Sequence, residues 1–108
     1  MKKETEYCIV MTTYDSQEIA LKTINCVLEK KLAACVQTID IGSHYSWNEK
    51  VCHEKEILVL MKTCWYLYDS LRDVIKENHS YETPEIIAVN IADGDDAYLS
   101  WMKSVTKA

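Results

Sequence analysis

The chain has few residues that interrupt a backbone: it contains two glycines and one proline in 108 residues. This scarcity excludes a flexible linker or a low-complexity tail, and the length suits one domain. We therefore predict a single domain over residues 1–108, with a flexible N-terminus at residues 1–5. The net charge is −5 and the basic residues form no stripe, which argues against nucleic-acid binding.

Long apolar runs are also absent. No stretch approaches the ~18 apolar residues that a membrane-spanning helix needs. The first six residues include two glutamates, and no apolar segment of useful length follows them, so they do not resemble a signal peptide. We therefore expect a cytoplasmic protein that has no membrane partner.

The sequence has none of the common catalytic motifs, such as G-x-S-x-G, H-E-x-x-H or a glycine-rich phosphate loop. We therefore predict that the protein is not an enzyme. Its five cysteines are widely spaced and include no C-x-x-C pair, which disfavours a disulfide framework or a zinc site. Reduced, buried thiols are the simpler interpretation.

The first half of the chain is predicted to contain three strands and a helix. Strands are predicted at residues 7–13, 34–47 and 51–63, and Gly42 is a predicted bulge or bend in the second strand. Residues 47–50 are predicted to form the turn between the two long strands. Residues 15–18 resemble the start of a helix with a capping box. Its apolar stripe is predicted to comprise Ala20, Ile24, Val27, Leu28 and Lys31.

The second half of the chain is predicted to continue with a helix, a strand and a short helix. The helix carries Leu67 and Leu71, with Thr63 as a candidate cap. It must end near His79, because Pro84 and the residue before it favour extended backbone. A strand is predicted at residues 85–91, followed by a helix capped at residues 93–96. The order β-α-β-β-α-β-α predicts an α+β, ferredoxin-like split βαβ fold with a long β2–β3 hairpin.

Two strand segments, residues 8–11 and 57–61, are apolar on both faces. Two helices can cover only one face of a sheet, and a sheet with one wet face should alternate apolar and polar residues. A second copy of the same chain is the simplest cover for the other face. The sequence therefore predicts an oligomer.

Four ordered motifs and a closing segment resemble the CutA (divalent-cation tolerance) family, over roughly residues 7–101. They are KLAACV (31–36), YSWNEK (45–50), ILVLMKT (57–63), the joint HSYETPE (79–85) that leads into Ile86-Ile87, and DAYLSW (96–101). The resemblance implies a homotrimer of ferredoxin-like subunits, similar in architecture to PII signalling proteins. It also implies a role in tolerance of divalent metals, chiefly copper. We expect such a trimer to be thermostable, because unfolding must break subunit contacts as well as each core.

The resemblance also implies candidate copper ligands. The positions proposed in bacterial relatives match Met11, in place of a cysteine, and Asn78-His79, in place of a histidine pair. Met11 and His79 together would offer a thioether and an imidazole, which can hold Cu(I). The alternative for His79 is a structural role at the end of a helix, where it contacts the last carbonyls.

Other polar and aromatic residues are predicted to lie at subunit boundaries. Lys62, Tyr81 and Glu85 are predicted around one cleft that binds a ligand, or alternatively as a Lys62–Glu85 ion pair that holds the subunits together. Tyr45 and Trp47, at the hairpin tip, are predicted anchors for a neighbouring subunit.

His44 and His53 lie on the two hairpin arms and are predicted to face solvent. They could meet across the hairpin, but its register does not follow from the sequence.

Two functions remain open on the sequence alone. The first is a non-enzymatic trimer in metal tolerance that binds a metal ion or small ligand at its subunit interfaces. The second is a scaffold or chaperone-like trimer that engages partner proteins and has no physiological metal.

Overall fold

The computed structural model describes residues 5–108, which form one antiparallel sheet and three α-helices. Residues 1–4 of the predicted flexible N-terminus lie outside the described residues. Thr5 is held, because its hydroxyl donates a hydrogen bond to the carbonyl of Ile91. In chain order the elements are β1 (Tyr7–Tyr14), α1 (Gln17–Glu29), β2 (Cys35–Trp47), β3 (Lys50–Cys64), a 3₁₀ turn (Trp65–Leu67), α2 (Tyr68–Asn78), β4 (Ile87–Asn90) and α3 (Asp96–Val105).

The sheet order is β2-β3-β1-β4, and every neighbouring pair is antiparallel. This is the arrangement that the predicted ferredoxin-like fold requires, so the fold class is confirmed. Helix α1 packs on β1 and β3 and against α2. Together α1 and α2 bury one face of the sheet, and the fully buried side chains include Val10, Val27, Val59, Leu71 and Ile75.

The helix ends follow the predicted chemistry except for the capping box of α1: Ser16 is the N-cap, so Ile19 and not Glu18 lies three residues later, and the box does not form. The hydroxyl of Ser16 accepts the N–H of Ile19 at 3.3 Å, and α2 ends at Asn78, as the proline argument requires. Asp95 caps α3 by accepting the N–H of Tyr98 at 3.2 Å. The predicted stripe of α1 is wrong at one apolar position, because Leu28 is 42% exposed.

Two other local predictions are wrong. Gly42 forms no bulge, because it pairs with Lys55 within an unbroken one-to-one register between β2 and β3. Thr63 does not cap α2, because it lies within β3 and its buried hydroxyl donates to the carbonyl of Leu32 at 2.6 Å. That contact joins residues far apart in sequence, which is why local pattern did not reveal it.

The β2–β3 hairpin is long, with strands of 13 and 15 residues. Its loop contains only Asn48 and Glu49, both with positive φ, of 51° and 63°. Two successive residues with positive φ are typical of a type I′ turn, whose twist matches that of the paired strands. The turn therefore fixes the register of the whole hairpin.

The face of the sheet opposite α1 and α2, which we call the open face, is apolar in the single chain. Ile39, Ile87 and Val89 on this face are 50%, 49% and 46% exposed. Met11 and Leu60, which pair with each other, lie between these strands and are half-buried. The prediction that residues 8–11 and 57–61 are apolar on both faces of the sheet is therefore confirmed.

All five cysteines lie within the described residues and are free thiols. Cys8 and Cys64 are buried, and the other three are half-buried. Within residues 5–108, no helix has the length and apolar character needed to cross a bilayer.

Candidate functional site

The joint between α2 and β4, residues 79–86, lies beside the end of β1. His79 ends α2 with extended backbone, at φ −83° and ψ 144°. Its ring stacks on the ring of Tyr14, with centroids 4.3 Å apart and planes 12° from parallel. Tyr14 is fully buried, so the joint is packed against the core.

Both ring nitrogens of His79 have partners. Nε2 lies 2.8 Å from the carbonyl oxygen of Thr13, and Nδ1 accepts the N–H of Tyr81 at 3.1 Å. These contacts require the neutral ring with its proton on Nε2. Burial lowers the pKa of His79, and this outweighs the opposing effects of the Thr13 carbonyl and of the Asp15 and Glu56 charges. The geometry supports a structural role for this histidine, but its ring contacts the Thr13 carbonyl of β1 and not the last carbonyls of α2, which the alternative predicted.

Met11 lies on the other side of the sheet. Side chains alternate along a strand, so Met11 points to the open face, whereas Tyr14, against which His79 stacks, points to the helices. The structure therefore does not bring Met11 and His79 to one site within the chain, and their role as copper ligands stays a prediction. Across residues 5–108, no group of three or more His, Cys, Asp or Glu side chains is arranged to hold a metal ion.

Tyr81 is the polar centre of the joint. Its hydroxyl donates a 2.6 Å hydrogen bond to Oε2 of Glu56, a residue of β3. Burial raises the pKa of Tyr81 well above its ordinary value, and the Glu56 carboxylate raises it further. Glu56 was not among the residues predicted for this cleft. The available signal was a carboxylate at the start of the apolar run 57–61.

An open cleft of about 710 Å³ lies between the joint and the hairpin arm. No lysine or arginine is among the described residues that line it, so the cleft is strongly acidic. Three aromatic side chains, Tyr45, Trp47 and Tyr81, form part of its wall. Five carboxylates line it: Asp15, Glu54, Glu56, Glu82 and Glu85.

The structure brings together Tyr81 and Glu85 of the predicted cleft but not Lys62. The ammonium of Lys62 lies 3.5 Å from the hydroxyl of Tyr98 and 5.5 Å from the centroid of its ring. Lys62 is six positions beyond Glu56 along β3, or about 20 Å at ~3.3 Å per residue. Lys62 therefore does not share the cleft with Tyr81 and Glu85 of the same chain. Whether it meets the cleft, or Glu85, of a neighbouring subunit stays a prediction.

The hairpin tip is exposed in the single chain. Tyr45 is 39% exposed, Trp47 59% and Val51 69%. Residues that anchor a protein–protein interface are often aromatic, and they are exposed when the partner is absent. Their role as subunit anchors stays a prediction.

His44 and His53 face each other directly across the hairpin. Their Nδ1 atoms are 2.7 Å apart, and their ring centroids are 4.9 Å apart. Both side chains are exposed, as predicted, and the structure supplies the register that the sequence could not.

These features define a ferredoxin-like domain with one uncovered sheet face and an acidic cleft beside a long hairpin. Residues 8–105 match the family described as CutA1 divalent ion tolerance protein. The chain belongs to this family.

Relatives match over most of this chain. The divalent-cation tolerance protein CutA of Thermus thermophilus is 35% identical over 99 residues, which cover 91% of this chain and 96% of the relative. The chloroplastic protein CutA of Arabidopsis thaliana is 38% identical over 100 residues. That match covers 92% of this chain but only 55% of the plant protein.

Solved structures give the same result. The crystal structure of CutA1 from Shewanella sp. SIB1 superposes with a TM-score of 0.92 at 31% identity, covering 97% of this chain and 99% of that one. The structure of the periplasmic divalent cation tolerance protein CutA from Archaeoglobus fulgidus superposes with a TM-score of 0.90 at 34% identity. That match covers 94% of this chain and 99% of the other. Because named relatives are chloroplastic or periplasmic, a cytoplasmic location stays a prediction.

Proposed function

We propose that the chain is a non-enzymatic divalent-cation tolerance protein that acts as a homotrimer. The family description supports the tolerance role. The single observation that carries the assembly is the open face, where Ile39, Ile87 and Val89 are each about half exposed. An apolar sheet face of this kind marks an interaction surface, and a symmetric set of identical chains is the commonest way to cover one.

The size of the particle in solution tests the assembly. Analytical ultracentrifugation should give three times the 12.5 kDa chain mass. The variant Ile87→Lys, which places a charge on the open face, should shift the particle to the single-chain mass. Leu21→Lys is the matched control, because Leu21 is equally exposed, at 47%, but lies on α1. A wild-type monomer, or loss of assembly in the control alone, would contradict the proposal.

The acidic cleft is the proposed region where cations collect. Its five carboxylates concentrate negative potential, and a cleft of one charge sign raises the local concentration of opposite ions. Copper is the cation proposed first, because thiol groups suit it and Cys52 lines the cleft.

Cell growth tests the tolerance role. Cells that lack their own family member should grow better in copper when they produce this chain. The double variant Glu54→Gln, Glu85→Gln reduces the charge of the cleft without removing the Tyr81–Glu56 hydrogen bond, and it should lose much of that benefit. Equal growth with and without the wild-type protein would count against the tolerance role.

A further inference from the structure

The two-residue turn places two histidines at a fixed and short separation. The register runs without interruption from the Trp47–Lys50 pair at the turn to the His44–His53 pair. Side chains directly opposite each other on paired strands have their Cβ atoms about 4.5–5.5 Å apart. The two imidazoles therefore meet because of the backbone, and their contact does not depend on long, mobile side chains.

The contact between the two rings needs a proton. With Nδ1 atoms 2.7 Å apart, one ring donates an N–H and the other accepts it, so the two rings hold different tautomers. If both rings accepted the proton on Nε2 instead, two Nδ1 lone pairs would point at one location. A cation with empty coordination positions can take the place of the shared proton there.

The surroundings leave that location accessible. Both rings are exposed, and Gly42, two positions before His44 on the same strand face, has no side chain. A Cβ at position 42 would lie 3.6 Å from Nε2 of His44, in contact with the ring. Lys55, opposite Gly42, is the charged residue of the neighbouring pair on this face.

We propose that His44 and His53 form a two-nitrogen clamp for a divalent transition-metal ion that prefers square-planar coordination, such as Cu²⁺ or Ni²⁺. Metal–nitrogen bonds of ~2.0–2.1 Å place two neighbouring ligand nitrogens about 2.9 Å apart in a square plane and about 3.3 Å apart in a tetrahedron. The 2.7 Å between the two Nδ1 atoms is a hydrogen-bond distance, and a shift of ~0.2 Å between the exposed rings gives the square-planar spacing. Water fills the remaining positions. This site deepens the proposed function, because it gives the cation a specific place.

Electron paramagnetic resonance of the full-length chain loaded with Cu²⁺ tests the clamp. The wild-type spectrum should show coupling to two equivalent nitrogens. His44→Gln and His53→Gln should each lose this pattern and weaken binding about tenfold or more. His79→Gln is the matched control, because it removes the third histidine and should leave the pattern intact. Circular dichroism confirms that each variant is folded.

Calorimetric titration with Ni²⁺ repeats the comparison with an ion that the five thiols do not reduce. The clamp is overturned if both hairpin variants keep the two-nitrogen pattern and the wild-type affinity, or if only His79→Gln loses them. The result is separable from the proposed function. A chain that binds metal through both hairpin histidines but is monomeric, or gives no copper tolerance, keeps the clamp and loses the function.

Discussion

Replacing His79 by phenylalanine separates the packing of this ring from its two hydrogen bonds. Phenylalanine can keep the stacked contact with Tyr14, which is 4.3 Å between centroids. It cannot donate to the carbonyl of Thr13 or accept the N–H of Tyr81. The variant therefore measures what the hydrogen bonds alone contribute to the joint.

The expected cost follows from these two contacts. A typical intramolecular hydrogen bond contributes a net ~0.5–1.5 kcal/mol, so the pair contributes about 1–3 kcal/mol. The side chains of His79 and Tyr81 are only partly buried, which places the expected loss in the lower half of that range. We predict that His79→Phe lowers the free energy of unfolding by about 1–2 kcal/mol at pH 7.5.

The loss should depend on pH with a defined sign. Burial lowers the pKa of His79 below 6.5 in the folded chain. The unfolded chain then binds more protons than the folded chain as the pH falls below 6.5, so acid favours unfolding. The stabilisation from neutral His79 is complete above pH 6.5 and is lost as the pH falls toward the folded-state pKa. The difference in free energy of unfolding between wild type and His79→Phe should therefore be smaller at pH 5 than at pH 7.5.

Urea unfolding followed by tryptophan fluorescence measures both effects. The protein concentration must be fixed, because the apparent stability of an oligomer rises with concentration. His53→Gln, at an exposed histidine, is the control for losing an imidazole elsewhere. The prediction is wrong if His79→Phe is as stable as wild type at pH 7.5. It is also wrong if the difference in their free energies of unfolding is the same at pH 7.5 and pH 5.

Three further predictions use the same unfolding assay. Thr63→Val should lower the free energy of unfolding by about 1–3 kcal/mol, because it leaves the buried carbonyl of Leu32 without its hydrogen bond; an unchanged free energy would contradict this. Tyr81→Phe should cost about 1–2 kcal/mol through loss of the bond to Glu56, and no change would show that this bond adds nothing. Glu49→Gly should stabilise the turn by about 0.5–1 kcal/mol, since a side chain disfavours positive φ; a loss of stability would refute this.

The fold was predictable where local chemistry decides it. Pro84 required α2 to end before it, and the caps at Ser16 and Asp95 formed as their residue types predict. The errors arose where distant contacts decide. Thr63 bonds to a carbonyl that lies 31 residues earlier, and Gly42 pairs with Lys55 without a bulge because the turn sets the register for both strands.

The candidate site was predictable only in part, for a similar reason. Tyr81 and Glu85 belong to one short joint, so their meeting in one cleft follows from sequence proximity. Glu56 and Lys62 lie on the same strand face, and only the position of the joint along that strand decides which of them meets Tyr81. Strand register and the path of a loop depend on tertiary packing, and a single sequence does not display either.

The two-residue turn also has a consequence for the order of events during synthesis. The β2–β3 hairpin pairs residues that are close together in the chain. The pairing of β1 with β4 brings together residues near the two ends of the chain, such as Cys8 and Asn90. Closing a short loop costs less entropy than closing a long one, and hairpins form within about 1–10 μs. We therefore expect β2 and β3 to be paired before the ribosome releases the chain. Strand β4 would be the last strand to pair, with β1.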